Sequence, residues 1–200
     1  GDDSESSDFI KNLVKANVSF QKAILGAQRS DDERVQHLAY LALARIAYTL
    51  EQYDAAIFYY RKVPADSTSY VNALHESAWS YFLKGDTTRG MGIFHTLDGP
   101  DWEDYFLPDT YLLEATVFTN ACRFDYAREA IERIRKRYLA LKTPLGQYLA
   151  EYASPDALYK AFVLKQTRKG IELPRLLRMA VISNPEFYDL YTSVTAYRRE

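Results

Sequence analysis

Apolar residues recur along this chain at helical spacing, and no stretch alternates convincingly in the period-two manner of a strand. Phe9, Leu13, Val14, Ala16, Phe20, Ala23 and Ile24 mark one amphipathic helix running to about Ala27. Ser30, three residues before Glu33, has capping-box spacing and predicts the start of a second helix. Helical patterns then follow one another to Tyr138, punctuated by Pro64, Gly85-Asp86, Gly99-Pro100 and Pro108. Ser154-Pro155 and Asn184-Pro185 read as a cap followed by a first-turn proline, and Pro174 as a further start. Helices are therefore expected near 155–168, 174–182 and 185–198. The opening residues 1–7, GDDSESS, are acidic and polar and are expected as a flexible tail.

The pattern repeats. Moving His37–Tyr70 onto Val71–Asp104, an offset of 34, lays Ala44 on Ala78, Tyr48 on Phe82, Ala56 on Gly90, Tyr60 on Phe94 and Val63 on Leu97. A further offset of 37, with an insertion near Tyr105–Leu107, lays Ala78 on Ala115, Gly90 on Ala127, Phe94 on Ile131 and Leu97 on Ile134. Small residues fall on small ones and large on large. A small residue on each helix of a pair lets the backbones approach, and large residues one and two turns away fill the groove beside them. Ala44 with Ala56, Ala78 with Gly90 and Ala115 with Ala127 are the expected close-approach pairs. A glycine within a helix costs about 1 kcal/mol relative to alanine, so Gly90 marks a place where closeness is needed.

The stretch Leu43–Val63, LARIAYTLEQYDAAIFYYRKV, resembles the tetratricopeptide repeat, with its 34-residue period and W-x2-L-G-x2-Y…A-x3-F…P pattern. Tyr40, Leu74 and Tyr111 take the tryptophan position, Leu43 alone supplies the leucine, and alanine replaces the first glycine. Thr68, Trp102 and Leu139 stand where the family has proline. The resemblance covers 37–141 as repeats 37–70, 71–104 and 108–141, and extends to 8–28 as a half-repeat through Ala16, Phe20 and Ala23. It implies an all-α, right-handed solenoid, with residues 142–200 as the C-terminal helical cap that covers the last hydrophobic face. It also implies that the first helix of each pair lines a concave, partner-binding groove. The residues placed there are Leu41, Arg45, Tyr48 and Thr49, then His75, Trp79 and Phe82, then Leu112, Thr116, Thr119 and Asn120. Leu41 and Arg45 stand where the family's carboxylate clamp has Lys and Asn, so that activity is not carried over. A likeness to repeat proteins of the bacterial cell envelope tilts the expected location toward periplasm or envelope. The chain opens on Gly1 and has no apolar leader, as expected of a processed or trimmed chain.

Composition adds exclusions. The net charge of −2 offers no footprint for nucleic acid, and no 18-residue apolar run suits a transmembrane helix. Charge is uneven: residues 1–120 carry −8 and residues 121–200 carry +6, which reads as differently solvated faces or as steering of a charged partner. Seventeen tyrosines and ten phenylalanines suit irregular interhelical space or a contact surface. His37, His75 and His95 lack metal-ligand spacing. Gly90-Met91-Gly92 reads as helix packing. Cys122, the single cysteine, has no catalytic companion. The acidic run Asp98–Asp104, DGPDWED, lacks EF-hand spacing and reads as a solvated loop anchored by Trp102. The basic run Arg128–Arg137 reads as a charged outer helix face, with Arg133 and Lys136 exposed. No catalytic residue, metal or cofactor is expected. The expected function is an interaction scaffold for a protein or peptide. The alternatives are a sensor of a short peptide or small ligand, and a non-catalytic arm of a larger enzyme. Phe187, Leu190, Tyr191 and Val194 form an apolar stripe through which the last helix would make a homodimer.

Overall fold

A computed structural model describes residues 2–166 and 170–197; among these the chain is all-helical, with no strand. It divides into two compact units, Gly1–Leu97 and Asp98–Glu200. In the first, α1 (Asp2–Ser30), α2 (Glu33–Thr49), α3 (Tyr53–Tyr60), α4 (Tyr70–Leu83) and α5 (Thr87–Leu97) each pack on the next. The backbone of the expected tail is helical from Asp2 onward.

Ser30 does not cap α2. It ends α1, and its hydroxyl donates to the carbonyls of Gly26 and Ala27 at 3.2 and 3.3 Å. The cap is Asp32, whose carboxylate accepts from the Val35 N–H at 3.1 Å. Its charge also suits the helix N-terminus, and Ser30 lies too early in the chain to reach the same donor.

The small residues sit where close approach requires them. Ala44, Ala56 and Ala78 are fully buried, and Ala115 and Ala127 nearly so. A Cβ built on Gly90 would lie 3.1 Å from the carbonyl oxygen of Ala78, which is why glycine stands there. One core cluster joins Leu41, Ala44, Ala47, Ala56, Tyr60, Val63 and Ala73. A second seats Ile24 of α1 on Ala39 and Leu43 of α2.

The second unit opens with a 3-10 turn, Pro100–Trp102, followed by the hairpin of α6 (Pro108–Asn120) and α7 (Phe124–Arg137). Beyond a second 3-10 turn, Leu139–Leu141, come α8 (Lys142–Glu151), α9 (Pro155–Phe162), α10 (Arg175–Ile182) and α11 (Pro185–Tyr197). Ser154 and Asn184 cap as expected, accepting from Ala157 N–H at 3.2 Å and Phe187 N–H at 3.0 Å. The helix expected over 155–168 ends at Phe162, and residues 167–169 and 198 lie outside the described residues. Helix α8 was not legible, because Pro144 and Gly146 mask its pattern. It is held by burial of Tyr148 and Tyr152, whose rings lie 4.8 Å apart. Leu158, Phe162 and Leu177 pack around these tyrosines with Ala161 and Leu173, so this region has a core cluster of its own. On α11, Phe187 meets the ring of Phe162 at 5.3 Å and stacks on Tyr191 at 5.9 Å, while Leu190 is exposed.

The turn between paired helices recurs with the sequence. Glu51, Gly85 and Cys122 follow α2, α4 and α6, at the same offsets of 34 and 37, and have φ of 58°, 91° and 56°. In each turn the next residue's N–H reaches back five residues: Gln52 to Ala47 O at 2.8 Å, Asp86 to Tyr81 O at 2.8 Å and Arg123 to Phe118 O at 2.7 Å. These are Schellman motifs, whose left-handed residue favours glycine. Glu51→Gly and Cys122→Gly are expected to stabilise their units by about 0.5–1 kcal/mol, and Gly85→Ala to destabilise by about 1 kcal/mol. Urea denaturation of the three variants checks the signs.

Candidate functional site

Of the eleven residues expected to line a groove, the structure removes one. Leu41 is 3% exposed, enclosed with Tyr60 and Ala73 in the first unit's core. Ala73 of α4 closes over this part of α2, whereas one turn later the longer Glu76 holds the surface open. Arg45 is exposed there and grips Glu76 through two donors, Nε at 2.8 Å and Nη2 at 2.5 Å. The bidentate bonds hold the guanidinium pKa above its ordinary value. Tyr60, buried beneath, donates its phenol proton to the same carboxylate at 3.1 Å. Burial, then the charge of Glu76, pushes the Tyr60 phenol far above its usual range.

Tyr48 is half-buried, its ring edge-on to Tyr53 at 5.9 Å, and burial raises its pKa as well. Thr49 is exposed, with its hydroxyl donating to Arg45 O at 2.9 Å. On α4, Trp79 and Phe82 are half-buried, and His75 is half-buried with its ring 6.5 Å from Phe94. The second unit shows a cleaner stripe. Leu112 is 54% exposed, and Thr116 and Asn120 follow it at i+4 and i+8 on the open face of α6. Thr119 is also exposed, but its hydroxyl donates to its own helix at Ala115 O, 2.7 Å away.

Arg133 does not lie on an open outer face. It bridges Asp98 at 2.9 Å and Glu114 at 2.5 Å, with its guanidinium 5.2 Å over the Tyr111 ring. Burial opposes its charge, but the two carboxylates prevail and raise its pKa. Tyr111 donates to Asp98, and Arg137 donates to the Tyr111 hydroxyl at 3.2 Å and to Glu103 O at 2.7 Å. The reason is position: one turn separates Arg133 from Arg137, and this edge of α7 faces the 98–114 segment. Lys136 is exposed, as expected.

Comparison with protein-family models, curated proteins and solved structures gave no match. The functional reading rests on the chain's own geometry.

The other expected chemistry falls into place around these networks. Asp98 is tied as above and Asp104 pairs with Arg175, so two charges of the acidic run are spent on internal partners. Trp102 is half-buried, its ring 6.0 Å from Tyr105. Among the described residues no group of three or more His, Cys, Asp or Glu could hold a metal ion, and no helix is long and apolar enough to cross a membrane. Cys122 is exposed in its left-handed turn. Sequence reasoning missed Glu76 and Tyr60. The available signal was Arg45 with a carboxylate 31 residues on, one turn short of the repeat offset.

The buried phenol gives a pH dependence. A tyrosine whose folded pKa is raised stays protonated after the unfolded chain has lost its proton above pH ~10. Its stabilising share is therefore whole below pH ~10 and falls as pH rises further, by about 1.4 kcal/mol per pH unit for each retained proton. The wild type is expected to lose stability above pH ~10, and Tyr60→Phe to show a shallower loss. Thermal melts from pH 8 to 11 measure the slope difference; equal slopes would remove Tyr60 from the account.

Proposed function

We propose that the helix pairs are tetratricopeptide-like repeats and that the chain is an interaction scaffold for a protein segment, presented as a peptide or a helix. The observation that carries this reading is the recurrence of one Schellman turn at offsets of 34 and 37, the same offsets that align the sequence. Repeats built this way present a side-chain surface along their first helices. In the first unit that surface is Arg45, Tyr48 and Thr49; in the second it is Leu112, Thr116 and Asn120. The second stripe holds an uncovered leucine, Leu112 at 54% exposed, whose apolar area a partner would remove from water. Arg45 is already committed to Glu76, and removing it would leave a carboxylate facing Tyr60. Affinity capture with identification of the co-purifying protein supplies the probe. Its dissociation constant is then measured calorimetrically for Leu112→Ala, Asn120→Ala and Tyr48→Ala, with Lys136→Ala and Arg128→Ala as controls. A true anchor is expected to cost ~2 kcal/mol, about 30-fold in affinity, with helical signal and melting temperature retained. Loss at Lys136 or Arg128 with no loss at Leu112, Asn120 or Tyr48 would move the surface to the outer face of α7.

A further inference from the structure

The first unit carries a second surface, independent of the one just proposed. A cleft of about 450 Å³ opens among α3, α4 and α5, lined by Phe58, Arg61, Lys62, Tyr81, Lys84 and Arg89 together with Ile57 and a single carboxylate, Asp54. Four of the ten Lys and Arg in residues 1–97 meet here, although that stretch also carries twelve Asp and Glu. Two of the four have partners: Lys84 pairs with Asp54, and Arg89 with Asp86 at 3.2 Å. Among the described residues, Arg61 and Lys62 meet no carboxylate. They follow directly on α3, so the helix end holds both heads on the rim of the cleft.

Beside them stands Phe58, 55% exposed, with the Lys62 ammonium 5.1 Å from its ring centre. Tyr81 carries the Arg89 guanidinium at 5.9 Å in the same way. Two adjacent uncompensated cations repel each other, and an exposed phenyl ring keeps its apolar area in water. A ligand with anions alone would relieve the first cost and leave the second. A ligand that is both anionic and apolar relieves both.

We propose that this cleft binds an acidic peptide segment of a partner protein, with two carboxylates on Arg61 and Lys62 and an apolar side chain against Phe58 and Ile57. Arginine donates two parallel N–H bonds to one carboxylate, and lysine pairs with the second as a point charge. A concave site of this size suits side chains better than a flat bilayer. The net charge of −2 over residues 1–97 works against an extended polyanion such as nucleic acid, but little against a short segment.

The test is an array of 12-residue peptides bearing two Asp or Glu at varied spacing and one Leu or Phe, beside amide counterparts with Asn or Gln. The best peptide is then titrated by fluorescence anisotropy against the whole chain. Binding is expected to weaken at least tenfold for the amide counterpart, and to weaken with rising salt. It is also expected to weaken at least tenfold for the Arg61→Glu/Lys62→Glu pair and several-fold for Phe58→Ala, while Leu112→Ala leaves it unchanged. All three sites are exposed, and circular dichroism verifies folding; should the charge reversal unfold the unit, Arg61→Gln/Lys62→Gln replaces it. The proposal is overturned if acidic peptides bind no better than their amides, or if the charge variants bind as wild type. It is equally overturned if phosphatidylserine vesicles or an oligothymidylate bind this cleft more tightly than any peptide.

Discussion

Tyr152→Ala is expected to cost the second unit about 3–5 kcal/mol, the scale of deleting a buried aromatic ring. Tyr152 is among the largest fully buried side chains of the protein. Its ring meets Tyr148 at 4.8 Å, and its hydroxyl donates to Ile171 O at 3.1 Å, tying α8 to the segment that precedes α10. Removing the ring opens a cavity within the cluster that includes Ala161 and Leu173, and it leaves the Ile171 carbonyl without this donor. Tyr152→Phe keeps the volume and loses only the hydrogen bond, so about 1 kcal/mol is expected. Each unit holds one tryptophan, Trp79 in the first and Trp102 in the second. Fluorescence-detected urea unfolding in a Trp79→Phe background therefore reports the second unit by itself. A loss below 1 kcal/mol for Tyr152→Ala would show that residues 142–177 are held by contacts other than this cluster.

Ala56→Leu carries the second large effect, about 1–3 kcal/mol of destabilisation of the first unit. Ala56 has no accessible surface and lies in one cluster with Leu41, Ala44 and Tyr60. Three added carbons have no void to enter, so α2 and α3 must separate or neighbouring side chains must leave their rotamers. Ala65→Leu, on an exposed connection, is the matched control and should stay within about 0.5 kcal/mol. Unfolding of both variants followed at Trp79 gives the comparison. Equal stability would mean that the small-residue pairing does not set the distance between α2 and α3.

Both predictions depend on burial, and they differ in how far it could be read in advance. The fate of Ala44, Ala56, Ala78 and Ala127 was legible because repetition amplifies it: the same size constraint appears at 34 and again at 37 residues. Of the turns only Gly85-Asp86 was legible, because Glu51 and Cys122 take the same left-handed position without a glycine to announce it. Helix α8 was not legible, because Pro144 and Gly146 lower its intrinsic propensity and only the burial of Tyr148 and Tyr152 restores it.

The surface divides along the same line. The family resemblance, with helical spacing in support for Arg45, placed Arg45, Thr49, Leu112, Thr116 and Asn120 along the first helices, and all five are exposed. It could not tell Leu41 from Arg45, four residues apart on one face, because Ala73 covers the first and the chain brings Ala73 there from 32 residues away. Nor could it separate Arg133 from Lys136, since only the folded path of residues 98–114 delivers Asp98 and Glu114 to one of them. Local periodicity was enough to fix the helices between residues 33 and 137 and the small residues buried along their seams. Tertiary structure alone decided which charges are spent inside the protein and which, like Arg61 and Lys62, are left facing out, because that depends on partners distant in the chain.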